Sequence, residues 1–221
     1  MGRPPPLVLG ATSLIGRFLA PRLAAAGRPF VGVSRQGGDW LQADLATPGG
    51  RARLPEAEAV LSLSPIWLLP DAIADLKAKG LRRLVAFSST SLLTKAASAD
   101  PAERAVVEAL ARGEDAVRAS GVDWTILRPT LIYAEGQDRN VSRLASLARR
   151  LPALPIAGRG EGRRQPVHAD DLAQAALQAL DARATVGKTY ELAGGETLTY
   201  RQMCERVFEG LGRTPRIVSV P

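Results

Sequence analysis

Residues 6–27, PLVLGATSLIGRFLAPRLAAAG, constrain the fold more than any other stretch of the chain. Leu7, Val8 and Leu9 form a short apolar run, the pattern of a strand buried on both faces. Gly10 follows at once, where a residue without Cβ lets the backbone turn sharply. The period then changes. Leu14, Ile15, Phe18, Leu19 and Leu23 recur at helical spacing, and Gly27 is placed as the C-cap. The stretch therefore predicts a strand, a tight glycine turn and a helix, with Gly16 letting the helix lie close to the sheet. The free N–H groups of the first helical turn point at whatever sits above them, and a pyrophosphate suits that place. The same pattern also fits an ordinary turn of another α/β protein, so the decision rests on the rest of the chain.

Residues 30–33 predict the second strand, followed by Ser34 and Arg35. In a dinucleotide fold the end of this strand faces the adenosine ribose, where an acidic residue binds the 2′-OH and an Arg accommodates a 2′-phosphate. Arg35 therefore points to NADP over NAD, the alternative being an exposed loop arginine; its guanidinium can also stack on adenine. Residues 40–45 predict a short third strand ending at Asp44, which can accept from the adenine amino group, and 46–56 read as loop. Residues 59–63 predict the fourth strand, with Ser64 turning out of it. Residues 67–79 predict an amphipathic helix whose Trp67 either packs in the core or lines a pocket at that end. Residues 84–87 predict the fifth strand, with Ser88, Ser89, Thr90 and Ser91 behind it, and 101–120 a long helix that Gly113 bends or splits. Residues 123–127 predict the sixth strand. Helices follow at 141–150, 170–182 and 200–211, with extended pieces at 165–168, 189–192 and 216–220.

This alternation implies an α/β fold, a Rossmann-like doubly wound parallel sheet with a small C-terminal α+β substrate region. Ligands bind outside the carboxyl ends of such strands, and Gly10, Arg35, Asp44, Ser64 and Ser88 to Ser91 all fall there. The expected division is a dinucleotide-binding domain over 1–150 and a closing region over 151–221.

Several segments, taken in order, carry a family resemblance: GATSLIG, FSSTS, SGVDWTILRPTLIY, RRQPVHADDLAQA and TYELAGGETLTYRQMCERVFEGLGR. The chain resembles the extended and atypical short-chain dehydrogenase/reductase superfamily, the NAD-dependent epimerase/dehydratase-like branch, over nearly its whole length. The resemblance implies that Gly10, Thr12, Ser13, Leu14, Ile15 and Gly16 hold the pyrophosphate, and that Ser34 and Arg35 hold the adenosine phosphate side. It places Asp44 and Leu45 beside adenine, Ser64 near the nicotinamide ribose, and Pro129, Thr130 and Ile132 at the nicotinamide; Ser88, from its own place at the carboxyl end of the fifth strand, is a further cofactor-binding candidate. Thr90 falls where the family keeps its catalytic Ser or Thr. Ser13 departs from the family pattern G-x-x-G-x-x-G, but Ser is small and its hydroxyl can donate to a phosphate oxygen.

The resemblance also implies a Tyr, and a Lys four residues later, on the long helix; the Tyr is the general acid/base and the Lys lowers its pKa. Aligning Glu114 with the family's Glu puts Val106 and Leu110 at these positions, and no Tyr precedes Tyr133. The pair is absent in any register. Epimerisation and dehydration of sugar nucleotides begin with an oxidation that needs this base, whereas hydride transfer to a quinone, flavin or activated alkene can take its proton from water. The expected function is NADP(H)-dependent reduction of a small molecule. Alternatives are a non-catalytic NADP(H)-binding sensor or accessory subunit, and sugar-nucleotide chemistry with a base relocated to Lys95 or His168. His168 is read as a packing residue or a general acid. Arg164 is read as a substrate-phosphate contact or a surface ion pair. Asp170 and Asp171 suit a helix start better than acid–base work.

The net charge of +7 is spread arginine, and aromatics make up only 5%, which argues against a nucleic-acid partner. No apolar run is long enough for a membrane span, and MGRPPP has no apolar h-region, so no secretory signal is expected; Pro6 stands where an acylation signal at Gly2 needs Ser or Thr. One cysteine, Cys204, gives no disulfide framework, and a lone His with two helix-start Asp residues is no metal set. A cytoplasmic protein with a small-molecule substrate is expected, with a protein partner or a homo-oligomer as further options.

Overall fold

The computed structural model describes residues 4–134 and 136–220, so the reading of Met1 and Gly2 lies outside the described residues. The elements in chain order begin with β1 (Leu7–Leu9), α1 (Leu14–Ala25), β2 (Val31–Ser34), β3 (Leu41–Gln42), α2 (Pro48–Ala52) and β4 (Ala59–Ser62). A 3-10 turn over Ile66–Leu68 leads into α3 (Leu69–Ala78), then β5 (Arg83–Phe87), α4 (Ser91–Thr94), α5 (Pro101–Arg118) and β6 (Asp123–Pro129). Beyond these come β7 (Leu131–Tyr133), α6 (Val141–Arg150), β8 (Leu154–Ala157), β9 (Arg163–Arg164) and β10 (Pro166–His168). The chain closes with α7 (Ala169–Asp181), β11 (Lys188–Leu192), β12 (Leu198–Thr199), α8 (Tyr200–Gly210) and β13 (Ile217–Val220).

Two compact units result: Met1–Pro129 with Asp170–Glu191, and Thr130–Ala169 with Leu192–Pro221. This differs from a single boundary near residue 150. The chain leaves the first unit after Pro129, and α7 and β11 bring it back. Helix α7 returns because Leu172, Ala173 and Ala176 are buried. Strand β11 returns as an outer strand beside β6.

The first unit is built on a seven-stranded sheet of order β11-β6-β5-β4-β1-β2-β3. Every pairing from β3 through β6 is parallel. Strand order runs outward from β1 to β3, then restarts on the other side of β1 at β4, so a topological switch point lies between β1 and β4. Leu7 and Leu9 join Val60, Leu84, Ala86 and Ile126 in one core with Leu69, Ile73 and Leu76 of α3 and Leu110 and Val117 of α5. The alternate residues Val8, Leu61 and Val85 are buried too, as a sheet covered on both faces requires. Across the other face, α1 and α7 are tied by the ion pairs Arg22–Asp170 at 2.5 Å and Arg28–Asp181 at 2.7 Å.

Four local differences from the sequence reading have simple causes. The loop over 46–56 holds α2, capped by Thr47 whose hydroxyl accepts from the Gly50 N–H at 3.0 Å; five residues are too few to show a helical period. Helix α4 is shorter still. The helix expected at 67–79 is divided, and Pro70 opens the α-helical part. Gly113 does not split α5, which runs unbroken from Pro101 to Arg118. It is there because a Cβ would sit 2.7 Å from the Ile66 carbonyl oxygen, where α5 closes on the 3-10 turn.

The second unit pairs β7 with β10 and β8 with β13 in parallel, and β9 with β12 antiparallel. Its core joins Ala148 of α6, Leu154 and Ile156 of β8, and Cys204, Val207 and Phe208 of α8. Cys204 is a packing residue, and burial pushes its thiol up. Among the described residues no helix is long and apolar enough to cross a membrane.

Candidate functional site

A cleft of about 500 Å³ opens at the switch point of the first unit. Gly10, Thr12, Ser13, Ser34, Arg35, Asp44, Leu45 and Ser64 all line it, so most of the residues expected at a dinucleotide meet there. Gly10 holds φ +77°, and a Cβ on it would stand 2.9 Å from the Ser64 backbone nitrogen. Only glycine lets the first turn pass this close to the end of β4.

Ser13, the departure from the family pattern, is the N-cap of α1: its hydroxyl accepts from the Gly16 N–H at 3.1 Å. The amides of Leu14 and Ile15 remain at the start of α1 without an intrahelical acceptor. Ile15 itself packs inward, and Gly16 is buried in the helix.

Ser34 is buried, and its hydroxyl is engaged locally, 3.3 Å from the Thr12 hydroxyl and accepting from the Gln36 N–H at 3.2 Å. It braces the glycine turn against β2. Arg35 next to it is exposed, with no side-chain partner among the described residues. One carboxylate oxygen of Asp44 accepts from the Ala46 N–H at 3.0 Å. The Leu45 side chain is buried, and its carbonyl accepts from Arg51 at 3.0 Å.

Sequence reasoning missed Arg53. It follows α2 and lines a smaller hollow of about 340 Å³ together with Arg35, Asp44 and Thr47. Arg53 too is exposed and unpartnered among the described residues. Its signal was hidden because α2 was read as loop. Trp67 does line the main cleft.

The remaining candidates are placed differently. Ser88 donates to Glu114 at 2.6 Å instead of opening into the cleft. Glu114 is fully buried and also accepts from Arg128 and Arg118. The Thr90 hydroxyl donates to the Pro129 carbonyl at 3.2 Å. On α5, Val106 is 44% exposed and Leu110 is buried; these are the two residues that aligning Glu114 with the family's Glu assigns to the Tyr and Lys. Lys95 pairs with Glu103 at 2.6 Å. Asp170, in the first turn of α7, accepts from Arg22 Nε at 2.6 Å and Nη2 at 2.5 Å through its two oxygens.

In the second unit the Thr130 N–H donates to Leu192 and its hydroxyl to the Gln165 carbonyl. Ile132 pairs with Val167 across β7 and β10. His168 meets Tyr133 edge-on, with ring centroids 5.1 Å apart. Arg164 is exposed, donates to its neighbour's carbonyl and lies 6.0 Å over the Tyr200 ring.

The family model described as the RmlD substrate binding domain matches residues 97–221, more than half of the chain. The (4-alkanoyl-5-oxo-2,5-dihydrofuran-3-yl)methyl phosphate reductase of Streptomyces griseus is 31% identical, covering 95% of this chain and 75% of that protein. The chain belongs to the short-chain dehydrogenase/reductase superfamily. A mitochondrial protein of Arabidopsis thaliana, NADH dehydrogenase (ubiquinone) 1 alpha subcomplex subunit 9, is 34% identical over 52% of this chain, a stretch that spans only 29% of the plant protein. The structure of MoeE5 in complex with UDP-glucose and NAD has the same fold, with a TM-score of 0.82 at 20% identity over 98% of this chain and 85% of that one.

Proposed function

We propose that the protein is an NADP(H)-dependent reductase acting on a small molecule without a side-chain acid–base pair. The observation that carries the reading is the cleft at the switch point, with Arg35 where a carboxylate would select NAD. The residues present fit the cofactor: the Gly10 turn admits a close backbone approach, and the amides of Leu14 and Ile15 suit a pyrophosphate. Arg35 and Arg53, both unpaired among the described residues, suit a 2′-phosphate. The cofactor would supply the hydride. The chain binds and orients it, and Thr90 and Lys95, each held by another group, leave the proton to solvent.

This division of labour suits acceptors such as quinones, flavins and activated alkenes. The name of the Streptomyces relative, a reductase whose substrate carries an unsaturated ring and a phosphate, supports the same class. The test follows the loss of NADPH absorbance against a panel of such acceptors. Turnover that persists in Thr90→Val and Lys95→Met is expected; turnover abolished by either change overturns the solvent-proton mechanism.

A second reading is an accessory subunit that holds the cofactor without turnover. It is favoured by the similarity to the Arabidopsis subunit and by the absence of any Tyr before Tyr133 in the sequence. It predicts stoichiometric binding and no consumption with any acceptor. Sugar-nucleotide chemistry through Lys95 has the Lys95–Glu103 pair against it.

A further inference from the structure

The second unit contains a slot of about 550 Å³ that the cofactor reading does not use, lined by residues of that unit alone. Two helices wall it. Val141, Ala145 and Arg149 recur every fourth residue on α6 and stack along one face. Met203, Val207 and Leu211 form the matching stripe of α8 and its C-cap. Tyr133 and Leu198 add to this apolar lining.

The polar groups of the slot are nearly all committed. The Asp138 carboxylate accepts from the N–H groups of Ala134 at 3.2 Å, Asn140 at 2.7 Å and Ser142 at 3.1 Å, and from the Ser142 hydroxyl at 2.5 Å. Arg206 pairs with Glu196 at 3.4 Å and Glu209 at 3.3 Å. Arg149 has no partner among the described residues. An apolar channel with one uncommitted cation fits a ligand with an apolar body and one anionic head. From Val141 to Arg149 the wall runs about 12 Å at 1.5 Å per residue, the reach of a medium-length alkyl chain.

We propose that this slot binds a single-chain alkyl anion, with the chain between α6 and α8 and the carboxylate or phosphate head on Arg149. The slot shares no lining residue with the cofactor cleft. Two variants separate head from tail. Arg149→Gln removes a charge that supports no internal contact. Gly210→Leu adds bulk at the lining, where a Cβ would meet nothing within 4 Å, so the helix accommodates it.

The experiment is calorimetric titration with monomeric decanoate and with decanol, each variant being checked by its thermal transition and by NADPH titration. Saturable 1:1 binding of decanoate is expected, weakened at least tenfold by Arg149→Gln. Decanol is expected to bind more weakly and to be indifferent to that change, and Gly210→Leu is expected to weaken both. Absence of saturable decanoate binding overturns the proposal, as does unchanged binding in both variants. NADPH titration of the same samples reads the cofactor cleft separately, so failure of one site is not mistaken for failure of the other.

Discussion

Replacing Glu114 by Ala removes an acceptor shared by three side chains. Its carboxylate receives the Ser88 hydroxyl at 2.6 Å, Nε and Nη2 of Arg128 at 2.8 and 2.6 Å, and Nη2 of Arg118 at 2.5 Å. The Glu114 side chain is 0% exposed and that of Arg128 13%, whereas Arg118 keeps 37% of its surface. Stranding the Arg128 guanidinium therefore carries the penalty of a broken buried pair, about 3–5 kcal/mol. Arg118 remains solvated, and Arg118→Ala is expected to cost less than about 1 kcal/mol. At about 2–4 °C per kcal/mol for a chain of this size, Glu114→Ala lowers Tm by roughly 6–20 °C. Glu114→Gln, which keeps the shape and loses the charge, costs less, about 2 kcal/mol. Circular dichroism melts at neutral pH measure all three.

The pH dependence gives a second readout of the same variant. Burial pushes the Glu114 carboxyl up, but the hydrogen bonds from Arg128 and Ser88 and the Arg128 charge outweigh it and hold the group below its ordinary value. Its contribution is therefore fully present above the ordinary carboxylate range, about pH 4.3, and is lost as pH falls through the lower folded value. Glu114→Gln is expected to flatten that part of the acid limb. A Glu114→Ala melt within about 1 °C of the parent, with an unchanged acid limb, would refute the view that this network fastens β5, α5 and β6 together.

Three further outcomes are expected. Gly10→Ala forces φ +77° on a residue with a Cβ 2.9 Å from the Ser64 nitrogen; it should cost about 1–3 kcal/mol and abolish nucleotide binding, read by melting and titration. Arg53→Gln should weaken NADPH binding roughly three- to tenfold and leave NADH unchanged, since only one charge-assisted contact to a solvated phosphate is lost. Arg22→Ala breaks a pair whose side chains are 37% and 35% exposed, so urea titration should find a loss below about 1 kcal/mol that shrinks further with salt.

Strands β1, β2, β4, β5 and β6 are legible in the sequence because each carries an apolar run between turn residues, whereas β3 is only Leu41–Gln42 and the spatial order that makes the switch point is visible only in the fold. What stays hidden is decided by contact across the chain. Ser34 and Ser88 look like free hydroxyls at strand ends, yet one braces Thr12 and the other donates to Glu114. No local pattern announces partners separated by 22 and 26 residues. Gly113 resembles a break because a lone glycine in a helical pattern usually weakens it, whereas here it admits the Ile66 carbonyl. Helices α2 and α4 are too short for periodicity, and with α2 went the position of Arg53. The return of α7 to the first unit goes with its buried face and that of β11 with its place beside β6, not with where they fall along the chain.

We propose that Arg35 selects a phosphorylated dinucleotide at the switch-point cleft. Calorimetric titration of the protein and of Arg35→Asp with NADPH and NADH tests it most directly. NADPH is expected to bind tighter than NADH in the parent, with the order reversed or levelled in Arg35→Asp. Equal binding of the two nucleotides in the parent, or an NADPH preference that survives in Arg35→Asp, would contradict it.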